Sequence, residues 1–298
     1  MQAAETFFFH RGTLGESVRG DKTGLGGDAA GQESKAGQCG RSTAQNDGGI
    51  RAPPRRSTVC ARAAKPARVS PLQIGSLALA FLGPLALWAL HRRRPHPQLE
   101  RNFARTIAAL LLAVFASNLV QKYCEGNFTV REVLPMHLCD WALFAVVAAL
   151  LWRWQTCFEL GYFWGLCGTL QAIFTPAIPD GTVWWRQLGF FLDHAGIVAG
   201  VLFLLLVPKM RPRGLRRVVV WSEVYLVAAL AANALTGGNY GFLAHRPAQR
   251  TMLDLFSDTP WLYVAGINGL ALVFFAAIYV PWLIADRLRK PAAPTPPA

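Results

Sequence analysis

Residues 132–152 read EVLPMHLCDWALFAVVAALLW. Pro135, His137, Cys139 and Asp140 crowd the first half, and the second half is almost pure hydrocarbon. Such a run reads as a membrane helix with reactive and ionisable side chains gathered at its mouth. The rest of the chain follows the same pattern. Of its 298 residues, 53% are hydrophobic and 16% charged, against roughly 25% charged in soluble domains. From residue 72 onward the apolar residues fall in blocks near the ~20 residues that cross a bilayer.

Seven such blocks predict an all-α, polytopic seven-helix transmembrane bundle, with spans near 72–90, 105–121, 134–152, 157–175, 188–207, 218–236 and 261–284. Basic residues set its orientation. One set of loops and the C-terminal end hold fourteen: Arg92, Arg93, Arg94, Arg101, Arg105, Arg153, Lys209, Arg211, Arg213, Arg216, Arg217, Arg287, Arg289 and Lys290. The opposite loops hold five: Lys122, Arg131, Arg186, Arg246 and Arg250. The richer side is expected in the cytoplasm together with the C-terminus, and the N-terminal side of span one outside. A multi-pass protein of the plasma membrane is the expectation for a bacterial chain.

Residues 1–70 are expected to be a disordered tail, because they carry too little apolar surface to offset the entropy of ordering. They lack the charged, apolar, small-residue order of a signal peptide. The seven-span domain occupies 71–286, and 287–298 form a second disordered tail. The N-terminal tail carries the remaining eleven basic residues and would lie outside, against the charge rule. Synthesis starting at a non-Met codon near Val69 would remove that conflict.

The net charge of +13 does not point to nucleic acid, because the basic residues sit in tails and loops and not along an aromatic-lined groove. The six cysteines have no metal-finger spacing and no disulfide framework is expected: Cys39 and Cys60 are in the tail, Cys139, Cys157 and Cys167 near apolar segments, and Cys124 in a loop. Trp141, Trp184, Trp185 and Trp261 fit an aromatic belt at one interface, Trp152 and Trp154 at the other.

Ionisable side chains inside a span are costly and ask for a reason. At 1.5 Å per residue, Cys139 lies roughly 8 Å below the outer face on span three, and the Asp193–His194 pair of FFLDHAGIV lies at similar depth on span five. His137 and Asp140 share a helical face. Gln171, Thr175, Asn233, Thr236, Asn239 and Asn268 add polar groups to the same layer, whereas Glu159 and Glu223 stand apart in the inner halves. Gly161, Gly165, Gly168, Gly196 and Gly200 are suited to close helix packing.

A thiol and an imidazole at matched depth can form a nucleophile and its base, with Asp193 or Asp140 as orienter and His137 as an alternative base. Asn233, Asn239 and Asn268 could donate to a tetrahedral oxyanion, and Gln171 and Thr175 could bind substrate. The same residues admit other readings. Cys139 can be a small buried hydrophobe and His194 an interhelical hydrogen-bond donor. His137, Asp140, Asp193 and His194 can hold zinc for lipid amide or ester hydrolysis. Intramembrane Asp and His can also line a transport or binding site, although the polar layer has no counterpart in the inner half.

LPMHLCD at 134–140, FTPAIPDG at 174–181, FFLDHAGIV at 190–198 and NYGFL at 239–243 followed by RP at 246–247 resemble the YwaF-type bacterial integral membrane proteins, which belong with the transmembrane protein 164 family. The similarity covers roughly residues 72–285. It implies a cysteine-dependent acyltransferase acting on phospholipids or lysophospholipids through an acyl-cysteine. The acyl-carrying cysteine falls on Cys139 and the functional histidine on His194. Membrane lipids are then the partners, as acyl donor and acceptor, and neither a cofactor nor a metal is expected.

Overall fold

A computed structural model describes residues 70–288 except 180, 248 and 250. Nearly all of both predicted tails therefore lies outside the described residues, as do Cys39 and Cys60. Every predicted apolar block is helical, and no strand occurs among the described residues.

Helix α1 (Pro71–Arg93) starts on a Ser70 cap whose side chain accepts from the Gln73 N–H, with a proline in the first turn where no donor is lost. It ends in His91, Arg92 and Arg93, which suit the negative end of the helix dipole. Helix α2 (Pro97–Cys124) also opens on proline and places Cys124 at its last residue, exposed. A single turn, α3 (Val130–Val133), precedes α4 (Leu138–Trp152). The fourth block runs as α5 (Gln155–Trp164), a π turn at Gly165–Thr169 and α6 (Leu170–Phe174). Helices α7 (Trp184–Leu206), α8 (Arg216–Thr236) and α9 (Pro260–Leu288) complete the bundle.

Five helices, α1, α2, α7, α8 and α9, are long and apolar enough to cross a bilayer, which makes this a multi-pass membrane protein. Helix α4 has 15 residues, and α5–α6 is interrupted by its π turn.

One predicted boundary is corrected. The third block is helical from Leu138, not from 134. Leu134 is extended (ψ 137°), as the residue before a proline prefers. The Asp140 carboxylate then accepts from the His137 N–H at 2.9 Å, which fixes the helix start. Cys139 therefore occupies the first turn of α4.

Helices α4 and α7 form the centre. Ala142, Leu143, Val146, Ala149 and Leu150 of α4 are buried, and so is most of α7. A Cβ on Gly161 would lie 2.6 Å from Val146 Cγ2, and one on Gly200 2.6 Å from Val146 Cγ1. The glycines let α5 and α7 close on the two methyls of one valine, the packing role expected of small residues. Helix α9 is the least covered by protein, with 6% of its apolar window buried.

Side-chain contacts sort the loops onto two ends. At one, Arg131 Nε donates to the Gly237 carbonyl at 2.6 Å, Arg186 pairs with Glu125, and Gln73 Nε2 donates to the Ile173 carbonyl at 2.9 Å. At the other, Arg153 pairs with Glu100 at 3.0 Å and Arg211 with Asp286 at 2.7 Å. The former is the end poor in basic residues, the latter the rich one. Trp184, Trp185, Trp261, Trp152 and Trp154 are exposed, as belt residues should be. Trp141 departs from the expectation: its indole N–H donates to the Pro135 carbonyl at 3.1 Å, and its ring packs edge-on against Trp164 and Tyr225 inside the bundle.

Candidate functional site

The first turn of α4 and the third turn of α7 meet at the basic-poor end. There a thiol Sγ of Cys139, a carboxylate oxygen of Asp193 and a ring nitrogen of His194 all lie within 4.8 Å of one another. Asp193 and His194 are buried at 8% and 6% exposure, and Cys139 is half-buried.

Helical geometry orients the imidazole. His194 Nδ1 is 2.7 Å from the carbonyl oxygen of Phe190, four residues earlier. A carbonyl can only accept, so Nδ1 carries the hydrogen and Nε2 is the nitrogen left to take a proton. The Phe190 ring stacks on the imidazole with centroids 4.1 Å apart. Asp193 Oδ2 lies 3.5 Å from Nδ1, on the side an orienting carboxylate occupies. Asp193 Oδ1 is buried without a hydrogen-bond partner among the described residues. Nucleophile–base contacts of this kind are often loose before substrate binds.

The other predicted residues are distributed around this centre. Asp140 caps α4 through the His137 N–H and so fixes the turn that carries Cys139. His137 faces the loop after α8: its Nδ1 accepts from the Gly241 N–H at 3.4 Å, and its ring meets Tyr240 edge-on. Asn233 brackets Tyr240, donating to its carbonyl at 3.0 Å and accepting from its N–H at 2.6 Å. Asn239 holds the same loop through Ala244 and His245. Asn268 Nδ2 donates to Glu223 Oε1 at 2.9 Å. The Thr175 hydroxyl donates to the Gln171 carbonyl at 3.1 Å, and the Gln171 side chain makes no hydrogen bond among the described residues.

Phe190 was visible in the sequence only as the residue one turn before His194. Tyr240 has no sequence signal for its role: its hydroxyl donates to the Val130 carbonyl at 2.6 Å and accepts from the Leu134 N–H at 3.2 Å, bracing the approach to α4.

Cys139, Asp193 and His194 are also metal-ligand types. Zinc holding them at about 2.0–2.3 Å would set them roughly 3.5 Å apart. Atoms as far as 4.8 Å apart would have to close by about 1 Å. His137 is not part of this cluster. Two apolar cavities lie elsewhere: one of about 450 Å³ bordered by Met136, Trp141, Phe144 and Trp164, the other of about 510 Å³ between α8 and α9 beside Asn268.

A family model described as TMEM164 family matches residues 65–279. An uncharacterized protein of Treponema pallidum (strain Nichols) is 30% identical over 201 residues, 66% of this chain and 82% of that protein. No solved structure matches the chain. The matched span takes in α1 through α8, just over two-thirds of α9 and all three clustered residues, so the resemblance carried by LPMHLCD and FFLDHAGIV is borne out and the chain belongs to the TMEM164 family.

Proposed function

We propose that the protein is a cysteine-dependent acyltransferase of membrane phospholipids or lysophospholipids, working through an acyl-Cys139 intermediate. One observation carries this reading: Cys139, Asp193 and His194, from two different helices, bring thiol, carboxylate and imidazole within 4.8 Å. His194 Nε2 takes the thiol proton as Cys139 Sγ attacks the ester carbonyl of a phospholipid. The ester C–O bond breaks, and the imidazolium returns the proton to the departing lysolipid oxygen. The thioester then passes its acyl group to an acceptor alcohol. Asp193 steadies the charged imidazole from the Nδ1 side. Asp140 and His137 act through the position of α4 and the 237–245 loop. Gln171, with its amide uncommitted, is the best placed of the polar residues to meet a headgroup.

In the same proposal all seven apolar helices cross the bilayer, with the basic-rich end in the cytoplasm and the site under the outer leaflet. The membrane is the plasma membrane of a bacterial cell, and substrate enters sideways from the lipid.

Incubating the purified protein with phospholipid carrying a labelled acyl chain tests this. The label should appear on Cys139, be released by hydroxylamine and vanish in Cys139→Ala. Full lipid remodelling by that variant would end the cysteine mechanism. A second reading, a zinc-dependent lipid hydrolase, draws on the same three ligand-type atoms. It predicts stoichiometric zinc in the purified protein that is lost in both Cys139→Ala and His194→Ala.

A further inference from the structure

Two threonines at helix C-termini turn their hydroxyls back on the chain: Thr175, which caps α6, donates to the Gln171 carbonyl, and Thr236, the last residue of α8, to the Ala232 carbonyl, each four residues earlier. Thr169 differs. It ends the π turn, where the Gly165 carbonyl is taken by the N–H of Leu170 five residues on. Its hydroxyl is left buried with no partner among the described residues, in a residue 3% exposed. A buried hydroxyl without a hydrogen bond is costly and rare.

The register shows which stretch of α7 runs beside it. The nine residues 175–183 join α6 to α7 at one end, so the two helices run antiparallel. Gly165 packs on α7 at Ile197 and Val201, where a Cβ would meet their methyls at 3.2 and 3.3 Å. Asp193, Ile197 and Val201 share a face of α7. One turn outward from Gly165 on the antiparallel partner brings Thr169 between the levels of Ile197 and Asp193. Gly168, its neighbour, abuts Leu138 beside Cys139, with a Cβ-to-Cδ2 separation of 3.0 Å. The other unpartnered buried oxygen in this region is Asp193 Oδ1.

We propose that Thr169 and Asp193 Oδ1 together bind the hydroxyl group of the lipid acyl acceptor. An alcohol complements the pair: its hydrogen is donated to the carboxylate oxygen, and its oxygen accepts from the threonine. A carbonyl could answer only Thr169 and would oppose Asp193. The proposal rests on the acyl-transfer reading and names its second substrate as a lysolipid with a free hydroxyl. In that half-reaction the acceptor oxygen forms a bond to the thioester carbonyl carbon and the C–S bond breaks. As the bond forms, the acceptor hydroxyl swings its hydrogen from Asp193 Oδ1 to His194 Nε2, which takes the proton and passes it to the departing thiolate, so the thiol is regenerated. Thr169 is a binding and positioning residue for this step and takes no part in forming the acyl-enzyme.

Two measurements test it, on Thr169→Val, which keeps the shape, and Thr169→Ser, which keeps the hydroxyl. Loading of Cys139 from labelled phospholipid should be unchanged in both. Transfer from loaded enzyme to lysophospholipid should fall about tenfold in Thr169→Val, with a raised KM for the acceptor, and stay within about twofold in Thr169→Ser. Loading and transfer falling together, or Thr169→Ser failing as badly as Thr169→Val, would overturn the assignment, as would transfer at the full rate in Thr169→Val. Binding of lysophospholipid against its deoxy analogue is then compared in the Cys139→Ala background. The hydroxyl form should bind about tenfold tighter, and Thr169→Val should erase the difference. A preference that survives Thr169→Val, or no preference at all, overturns the proposal. An intact preference in a protein whose Cys139 never takes an acyl group would instead sink the acyl-transfer reading and leave the hydroxyl site standing.

Discussion

Asp193 and Glu159 are both carboxylates buried among the helices, yet their surroundings are opposite. Glu159, 1% exposed, accepts from Gln155 Nε2 at 2.8 Å and from the Arg213 N–H at 3.0 Å, and Arg217 stands 4.0 Å from its second oxygen. Asp193 has one oxygen 3.5 Å from His194 and the other in contact with no donor. Burying a charge is tolerable when partners surround it, and Glu159 ties the start of α5 to the loop before α8 in that way. Asp193 lacks that compensation and sits beside a thiol and an imidazole. Partner inventory, more than depth in the bundle, separates a carboxylate committed to structure from one left open to the proposed chemistry.

The largest expected effect belongs to the reactive side of this comparison. His194→Ala should lower acyl transfer by about 10²–10⁴-fold, measured on protein whose melting temperature stays within about 2 °C of wild type. A loss below threefold would remove the imidazole from the chemistry. Asp193→Asn should lower transfer by about 100-fold and leave stability unchanged or raised, because its carboxyl makes no close hydrogen bond among the described residues that the change would break. Glu159→Leu should do the reverse. It strands the Arg213 N–H, at about 1–3 kcal/mol, and leaves the Gln155 amide only its bond to the Arg211 carbonyl, while folded molecules keep their rate of Cys139 loading. If Asp193→Asn unfolded the protein and Glu159→Leu silenced a stable one, the two roles would be exchanged.

The helices were legible because hydrocarbon thickness imposes a length on each apolar block, and every predicted block is a helix. The pairing of Cys139 with His194 was legible for a related reason. With helix rise fixed, the number of residues from a helix end measures depth, and two helices starting at the same end bring equal depths together. Features set by local hydrogen-bond competition were not legible. The start of α4 depends on Pro135 and the Asp140 cap, and nothing in GLCGT at 165–169 announces a π turn, so Thr169 passed for an ordinary helical residue. The roles of Asn233 and Asn239 were hidden for another reason: they depend on the chain after α8 folding back to place Tyr240 against Asn233.

The spacing between α4 and α7 underlies the Cys139–His194 contact, and Gly200 controls it. A Cβ there would lie 2.6 Å from Val146 Cγ1 and 3.3 Å from Leu150 Cδ1. Val146 has no room to turn, because its other methyl is already against Gly161. Gly200→Ala should cost about 1–3 kcal/mol and slow Cys139 loading in the surviving fold. Gly269→Ala, on α9 with nothing within 4 Å, is the control and should be neutral or slightly stabilising. Equal behaviour of the two variants would show that α4 and α7 have slack, and that their distance does not set the site.

The smallest effect sharpens the boundary between the two kinds of polar group. Tyr240 resembles Glu159 in having its hydroxyl fully engaged, yet it stands near the reactive cluster. Tyr240→Phe deprives the Val130 carbonyl of a donor and the Leu134 N–H of an acceptor, and keeps the Asn233 bracket, which uses backbone atoms. The expected loss is about 1 kcal/mol, read as a fall of roughly 2–4 °C in melting temperature. Cys139 loading should stay within about threefold, because Asp140 still caps the turn that carries the thiol. A much larger loss of loading at unchanged stability would mean that the Tyr240 hydroxyl takes part in the chemistry. An engaged group would then be reactive, and the rule drawn from Asp193 and Glu159 would fail where it is most needed.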